Sequence, residues 1–273
     1  MEIREAEKEL FGSVESLLES IKREPVDSDV HVILLKINNP AVQTPTETYK
    51  LNLFGKTLAE WVKLAFNTCP ITELVCDMSF DILSTIKPHL STKKYTAVFF
   101  ADTPLFQRKT FLNIMDWVQT KRMNVCKLER GFVFVTDFVR NAEKIYAITE
   151  PHDFGKEDFF TVFNMSQLEN AGQILKNRIL NYHEQNGVLF KDKKSTFIDA
   201  DVTIGKNVTI FPNNIISGAS LIEDGAEIGP FCVIKSSKIG KDVKICSCYV
   251  ENSELTSGTE VLPFTRIIDG KRR

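Results

Sequence analysis

Seven isoleucines in the C-terminal quarter of the chain recur at a constant spacing of six residues. They are Ile198, Ile204, Ile210, Ile216, Ile222, Ile228 and Ile234. An amphipathic α-helix repeats every ~3.6 residues and a half-buried strand about every two, so neither element explains this spacing. The pattern predicts a hexapeptide parallel β-helix, in which three short strands form one coil and the isoleucines stack in the interior.

After Ile234 the spacing becomes irregular, but the apolar series continues. The next members are Ile239, Ile245, Val250, Leu255, Val261 and Ile267. The shortened steps predict tighter corners within one β-helix of about four coils. Small or polar residues such as Gly205, Ser217 and Gly229 follow isoleucines, where a corner needs a compact side chain. A twisted sandwich of short strands is the alternative, but it would not keep one residue type at one phase.

The overall charge and the cysteine pattern exclude several classes of function. The formal net charge is −2, so we expect no nucleic-acid partner and no binding to an acidic membrane surface. The six cysteines are irregularly spaced and include no Cys-x-x-Cys pair, which argues against a disulfide framework. We find neither a signal peptide nor an apolar run long enough to span a bilayer, and we therefore expect a cytoplasmic protein.

The sequence upstream of the repeats predicts three further regions. Apolar residues on one face of residues 2–23, followed by Pro25, predict an N-terminal amphipathic helix within residues 1–27. Residues 28–163 are predicted to form an α/β domain, and residues 164–190 a linker helix that is closed by Gly187. The β-helix is then assigned to residues 191–273.

Within the α/β domain, two nearly all-apolar segments predict central strands of a parallel sheet that is covered on both faces. These segments are Val30–Ile37 and Tyr95–Phe100. Further strands are predicted at Leu74–Met78, Asn124–Leu128, Gly131–Thr136 and Lys144–Thr149, and helices at Thr57–Phe66, Phe80–Leu90, Thr110–Lys121 and Met165–Asn186. This alternation indicates a doubly wound α/β sheet, in which ligands bind at the carboxyl ends of strands. Asp102 lies just past such an end.

The order of an α/β domain, a long helix and hexapeptide repeats resembles one bacterial family. That family is the bifunctional N-acetylglucosamine-1-phosphate uridyltransferase/glucosamine-1-phosphate acetyltransferase. The most specific match runs from Gln167 to Ile228, and the upstream match is thinner. Ala101-Asp102-Thr103-Pro104-Leu105 resembles the G-D-x-P-L strand end of the family, and Gly55-Lys56 resembles its G-K-P. The resemblance implies a shortened nucleotidyltransferase-like domain, a left-handed β-helix and a homotrimer formed through that β-helix.

The resemblance also implies site residues. Asp102 matches the magnesium-binding aspartate of the family, and Asn164 is the candidate for its second metal ligand, so Mg²⁺ is the implied cofactor. The resemblance implies that Lys56, Gly131 and Glu150 contact a sugar 1-phosphate or a nucleotide, and Lys36 is a further candidate for binding phosphate. The residues themselves leave alternatives open: Asp102 as a cap of the following helix, and the two lysines as solvated surface groups.

The departures from the family concern the nucleotide-binding segments. The family opens with a glycine-rich loop, L-A-A-G-x-G-T-x-M, whose backbone N–H groups surround phosphate. The corresponding segment, Leu34 to Ala41, contains no glycine, and Pro40 and Pro45 each lack a backbone donor. The base-reading segment Q-x-x-x-G-T of the family has no counterpart between Leu90 and Tyr95.

Two functions follow as hypotheses. The first is Mg²⁺-dependent nucleotidyl transfer from a nucleoside triphosphate to a sugar 1-phosphate, with an altered substrate or a degraded active site. The second is a non-catalytic relative that acts as a trimeric scaffold or as a regulatory sugar-nucleotide-binding protein. Fold alone does not decide between them.

We do not expect the β-helix to be an acetyltransferase. Acyl transfer from a thioester needs a general base, which is most often histidine, and no histidine occurs from Glu184 to Arg273. The segment Val261 to Arg266 resembles the G-P-F-x-R-L-R-P run of the family, and in the bifunctional enzyme the acetylation residues lie beyond that run. His31, His89, His152 and His183 form no cluster in the sequence, and each is interpreted as structural.

Overall fold

A computed structural model describes residues 26–37, 47–77, 79–145 and 152–272. The predicted N-terminal helix at residues 2–23 lies outside the described residues. The chain divides into two compact units: residues 1–38 with 62–160, and residues 39–61 with 161–273.

In the part of the chain that the structure describes, seven strands precede the repeats. They are β1 (Val30–Ile37), β2 (Asn52–Leu53), β3 (Lys56–Thr57), β4 (Ile71–Cys76), β5 (Tyr95–Phe100), β6 (Val125–Leu128) and β7 (Gly131–Val135). Five of them form the sheet of the first unit, in the order β4-β1-β5-β7-β6. Strand β1 is parallel to β4 and β5, whereas β7 is antiparallel to β5 and β6. The parallel core agrees with the predicted α/β fold, and the antiparallel edge was not predicted.

The antiparallel edge has a local cause. Only Glu129 and Arg130 separate the end of β6 from the start of β7. A link of about two residues joins antiparallel neighbours, because a parallel pair needs a crossover of a dozen residues or more. This hairpin places Arg130 at the edge of the sheet where β5 ends, since Gly131 pairs with Phe99.

Each of the four helices predicted at residues 57–66, 80–90, 110–121 and 165–186 has a helical counterpart among the described residues, and four further short helices occur at Val26–Asp29, Thr48–Lys50, Thr136–Asn141 and Lys156–Phe159. The α-helices are Val26–Asp29, Leu58–Lys63, Ile82–Ile86, Arg108–Thr120, Thr136–Asn141 and Met165–Gln185, and the 3-10 helices are Thr48–Lys50, Leu64–Phe66, Lys87–His89 and Lys156–Phe159. The helix Thr136–Asn141 directly follows β7 and was not predicted. The predicted strand at Lys144–Thr149 lies mostly outside the described residues, and neither Lys144 nor Ile145 is in a strand.

The core of the first unit forms around the two strands that were predicted to be central. All six residues of β5 and the first six of β1 are buried, as expected for strands covered on both faces. The rings of Phe66, Phe99, Phe106 and Phe111 pack together there, with the Phe66 and Phe99 centroids 5.0 Å apart. The predicted parallel-sheet core is therefore confirmed.

The second unit contains a left-handed parallel β-helix. Its strands are β8 (Leu189–Phe190), β9 (Phe197–Ile198), β10 (Thr203–Ile204), β11 (Thr209–Ile210), β12 (Ile215–Ser217), β13 (Leu221–Ile222), β14 (Glu227–Ile228), β15 (Val233–Lys235), β16 (Lys238–Ile239), β17 (Lys244–Ile245), β18 (Tyr249–Glu251), β19 (Glu254–Leu255), β20 (Glu260–Val261), β21 (Arg266–Ile268) and β22 (Lys271–Arg272). They form three sheets of four, five and six strands, in which every pair is parallel except β21 with β22. Every residue of the predicted interior series, from Ile198 to Ile267, is buried.

The irregular spacing is absorbed at the corners, as predicted. Ile216 pairs with Ile234, 18 residues later, and Ile234 pairs with Val250, 16 residues later. The apolar residues stay in register while the coil shortens, so the change in length falls between strands. Left-handed backbone conformations occur at such corners, for example at Phe231 with φ 60° and at Ser247 with φ 51°.

The helix Met165–Gln185, which we call the linker helix, has a defined start and end. The Asn164 side chain caps its first turn by accepting a hydrogen bond from the backbone N–H of Gln167. At the other end Gly187 has φ 97°, a conformation that favours glycine and that ends a helix. The predicted role of Gly187 as the residue that closes the helix is confirmed.

Candidate functional site

The candidate metal ligand Asp102 lies at the carboxyl end of β5, beside the hairpin that joins β6 and β7. The backbone N–H of Ala101 donates to the carbonyl of Leu35, so the chain stays paired with β1 up to this point. Arg130 donates from Nε to Asp102 Oδ1 at 3.2 Å and from Nη2 to Oδ2 at 2.5 Å. Both carboxylate oxygens therefore accept hydrogen bonds from one guanidinium, which is the strongest type of carboxylate pairing in proteins.

The surroundings hold this ion pair in place. The guanidinium carbon of Arg130 lies 4.1 Å from the centroid of the Phe100 ring, a distance typical of a cation–π contact. The side chains of Asp102 and Arg130 are 12% and 25% exposed, so both are largely shielded from water. The alternative role of Asp102 as a helix cap is not what the structure shows, because Gln107 occupies the N-cap of the following helix.

The pairing of β7 with β5 requires a glycine at position 131. Gly131 pairs with Phe99 and has φ 149°. A Cβ at this position would lie 2.6 Å from the carbonyl oxygen of Val98, well inside van der Waals contact. The close approach of two backbones thus explains a glycine here without any ligand. Gly131, Asp102 and Lys36 are the candidate residues that the structure brings to the same edge of the sheet, since Gly131 pairs with Phe99 and Leu35 pairs with Phe100.

Lys36 lies near the carboxyl end of β1 and forms an ion pair with Glu73 on the neighbouring strand β4. Lys63 binds the same carboxylate, with its Nζ 2.8 Å from Glu73 Oε1. The Lys36 side chain is therefore engaged with the outer strand of the sheet. This arrangement fits the interpretation of Lys36 as a surface group better than that of a phosphate ligand.

Lys56 belongs to the second unit, where it attaches a small hairpin to the first coil of the β-helix. Strands β2 and β3 pair antiparallel, and Lys56 Nζ lies 2.6 Å from Asp201 Oδ1. The backbone N–H of Ala200 donates to the carbonyl of Phe54 at 2.9 Å. A Cβ on Gly55 would lie 3.1 Å from the Asp199 carboxyl carbon, so the glycine permits this close packing. The Gly55-Lys56 motif has a structural role in this arrangement.

Asn164, the second candidate metal ligand, uses its side chain to cap the linker helix. Its Oδ1 accepts from the Gln167 backbone N–H at 2.9 Å. The Gln167 side chain reaches back and accepts from the backbone N–H of Phe163 at 2.7 Å. This reciprocal arrangement resembles a capping box, which stabilises a helix start by itself. The last candidate, Glu150, lies outside the described residues, as do Asn38 to Ala41 of the segment that corresponds to the glycine-rich loop of the family.

The candidate ligands do not fit a Mg²⁺ ion as they stand. Mg²⁺ takes oxygen ligands at about 2.1 Å in near-octahedral geometry, with one or two carboxylates and several waters. Both oxygens of Asp102 already bind Arg130, and the only side-chain oxygen of Asn164 binds Gln167. In the part of the chain that the structure describes, no three or more histidine, cysteine, aspartate or glutamate side chains are grouped as a metal site would require.

Two of the four histidines, His31 and His183, are buried, whereas His89 and His152 are exposed. His31 is buried in β1, where its Nε2 lies 2.9 Å from Thr72 Oγ1. Burial and, secondarily, the neighbouring charge of His89 lower the pKa of His31. Burial likewise lowers the pKa of His183 on the linker helix. The ring of His152 stacks on Trp117 with the centroids 4.0 Å apart.

Arg130 is the residue that sequence reasoning missed. It lies in a two-residue turn, and nothing in the local sequence marks such a residue as part of a site. A usable signal exists in the spacing of predicted strands: two residues between Leu128 and Gly131 require a hairpin. Such a hairpin, placed beside the strand that leads to Asp102, would bring one of its two turn residues close to the Asp102 carboxylate.

The described residues contain no helix that combines the length and apolar character needed to cross a bilayer.

Comparisons with known proteins confirm the resemblance. No family model matches the chain. The bifunctional protein GlmU of Fervidobacterium nodosum is 35% identical over 144 residues, which is 52% of this chain and 30% of that protein. The bifunctional protein GlmU of Clostridium beijerinckii is 34% identical over 142 residues, and that of Halalkalibacterium halodurans 32% over 142 residues. Each match covers 50% of this chain and 30% of the relative, so these relatives are matched over less than a third of their length.

Proposed function

We propose that this protein is related to N-acetylglucosamine-1-phosphate uridyltransferase but has an altered active site. In this proposal it acts as a non-catalytic trimeric scaffold or a regulatory sugar-nucleotide-binding protein. One observation carries the proposal: every candidate site residue that the structure describes already has a partner or a packing role within its own unit. Asp102 binds Arg130, Lys36 binds Glu73, and Lys56 binds Asp201.

Nucleotidyl transfer makes demands that this arrangement does not meet. Catalysis of phosphoryl and nucleotidyl transfer rests on positioning and on stabilising charge at the phosphates, which requires side chains that are available to the substrate. A carboxylate that is neutralised by arginine and lysines that are paired with carboxylates are poorly placed for this role. The sequence that follows β1, from Asn38 to Ala41, contains no glycine, which makes a backbone phosphate cradle less favourable there.

A second candidate is an enzyme that has kept Mg²⁺-dependent nucleotidyl transfer to a sugar 1-phosphate. The position of Asp102 favours this second candidate, because α/β sheets bind ligands at the carboxyl ends of their parallel strands. The names of the relatives, which describe bifunctional proteins, are compatible with either candidate.

The experiment that separates the two is a pyrophosphate-release assay with a panel of nucleoside triphosphates and sugar 1-phosphates in the presence of Mg²⁺. We expect no release above the rate without protein. The Asp102→Asn variant is the control for contaminating enzymes, since pyrophosphate release by a contaminant would be the same in wild-type and variant preparations. Turnover by the wild-type protein that is lost in Asp102→Asn would refute the proposal and establish the second candidate.

We further propose that the β-helix is not an acetyltransferase. What supports this is that residues 184 to 272 contain no histidine to serve as the general base. Free-thiol release from acetyl-CoA in the presence of glucosamine 1-phosphate, above the rate without protein, would contradict it.

The homotrimer is proposed from one outer face of the β-helix. Phe197, Ile215, Val233 and Tyr249 face outward one above the other on strands β9, β12, β15 and β18. Phe197 is 45% exposed and Ile215 47%. A stripe of apolar side chains that faces outward over successive coils is typical of an interaction surface, and a closed ring of copies would cover it in every subunit.

We expect sedimentation to give a mass of three chains of 31.0 kDa each. Ile215→Asp places a charge on the apolar stripe and should shift the mass to that of one chain, because an unpaired charge at the centre of an interface opposes association. Thr203→Asp changes an exposed residue on a different sheet and should leave the trimer intact. A single-chain mass for the wild-type protein at micromolar concentration would contradict the proposed assembly.

A further inference from the structure

We propose that Arg130 is a built-in counter-ion that keeps divalent cations off Asp102. The family resemblance implies Mg²⁺ at this aspartate, and the residues around it do not fit that ion. The inference goes beyond the proposed function, because it concerns the cation requirement of this edge of the sheet and would hold for an active as well as an inactive protein.

The first support is the geometry of the ion pair. Arg130 covers both oxygens of Asp102, through Nε at 3.2 Å and Nη2 at 2.5 Å. A divalent cation would need one of these oxygens at about 2.1 Å, and it would also lie beside a fixed positive charge. Arginine stays protonated at all physiological pH values, so this charge is permanent.

The second support is the way in which Arg130 is held. Its backbone lies in the two-residue link between β6 and β7, and the next residue, Gly131, is fixed by pairing with both Phe99 and Leu128. Its guanidinium rests on the Phe100 ring at 4.1 Å. The register of three strands and the aromatic ring therefore fix the position of the Arg130 side chain, whereas an exposed arginine samples many rotamers.

The third support is the absence of a competing ligand set. Within the described ranges, no group of three or more acidic, histidine or cysteine side chains surrounds Asp102 or any other residue. Among the described residues, the contacts of the Asp102 carboxylate with Arg130 are therefore not shared with a ready-made set of metal ligands. The guanidinium supplies the two N–H donors that the carboxylate needs, whereas a cation would have to obtain most of its ligands from water.

The test uses Mn²⁺ as a paramagnetic substitute for Mg²⁺. Binding is measured by water-proton relaxation and by the Mn²⁺-dependent change in melting temperature. The wild-type protein, Asp102→Asn, Arg130→Met and the double variant Arg130→Met/Asp102→Asn are compared. Methionine keeps an unbranched side chain against Phe100 and removes the charge. Arg140→Met is the matched control, because Arg140 pairs with Asp137 at 3.3 Å on an exposed surface.

We expect wild type and Asp102→Asn to respond alike to Mn²⁺, which means that Asp102 binds no cation in the intact protein. Arg130→Met should gain Mn²⁺ affinity of at least about tenfold over wild type, because the like charge is removed. The double variant should lose that gain, and Arg140→Met should show none. If Arg130→Met does not fold, Arg130→Gln serves instead, since its neutral amide can still donate to Asp102.

Two results would overturn the inference. One is Mn²⁺ binding by the wild-type protein that disappears in Asp102→Asn. The other is a folded, uncharged variant at Arg130 that gains no affinity, because the arginine would then not be what excludes the cation. Neither result depends on turnover. Pyrophosphate release without Mn²⁺ binding at Asp102 would refute the proposed function and leave this inference standing.

Discussion

Replacing Ile216 by aspartate should lower the free energy of unfolding of the β-helix by more than about 4 kcal/mol. Ile216 is fully buried and lies in register between Ile198 and Ile234 of the neighbouring coils. A carboxylate at this position would meet the apolar stack that these isoleucines form. It would either remain charged without a partner or take up a proton at a large cost in free energy. Denaturant unfolding followed by far-ultraviolet circular dichroism measures the loss.

Thr203→Asp is the control for this prediction. Thr203 lies on strand β10, directly before buried Ile204, and its side chain is exposed. The same new charge placed on the outside of the coil should change the free energy of unfolding by less than about 0.5 kcal/mol. Equal losses for the two variants would mean that the interior and exterior of the coils have been assigned the wrong way round.

The interior of the β-helix was predictable because a single geometric requirement repeats. Each coil needs a branched apolar residue at the same position of its strands, so the same sequence pattern occurs several times and predicts the same structure each time. Where the spacing shortens after Ile234, strand pairing still matches Ile239 with Leu255 and Ile245 with Val261. The corners take up the difference, and their lengths follow no simple periodicity.

The α/β unit was less predictable, because its elements do not repeat. Strand β5 was predicted with its correct bounds, since six consecutive apolar or small residues leave little choice of environment. The helix Thr136–Asn141 was missed because it begins directly at the end of β7, with no intervening turn residue. The antiparallel hairpin was also missed, although the two residues between its strands determine it.

The sequence indicated candidate residues for a site but not the partners that their side chains meet in the fold. Lys56 binds a carboxylate 145 residues away in the sequence, and Lys36 binds Glu73 on a neighbouring strand. Residue types suggest what a side chain can bind, whereas the fold decides which group it meets. A family motif can therefore persist in the sequence while its side chains serve the packing of the chain. Asp102 is the clearest case, since its partner Arg130 belongs to no motif of the resemblance.

A substitution at Gly131 can distinguish a role in the packing of the sheet from a role in ligand binding. The Gly131→Ala variant should lower the free energy of unfolding of the first unit by about 3 kcal/mol. The added methyl would lie 2.6 Å from the Val98 carbonyl oxygen, which is backbone and cannot rotate away. The pairing of Phe99 with Gly131 would have to open to admit it. Thermal and denaturant unfolding of the variant measure the loss.

Gly155→Ala is the matched control. Gly155 lies in the same unit and also has a positive φ, 95°. A Cβ at this position, however, would have no atom within 4 Å. The loss in Gly155→Ala should be about 1 kcal/mol, which is the contribution of the left-handed backbone alone. The difference between the two variants therefore isolates the clash with β5. If Gly131→Ala unfolds like Gly155→Ala, no clash exists. If it is as stable as wild type but has lost binding of a nucleotide or sugar 1-phosphate, then Gly131 contacts the ligand as the family resemblance implies.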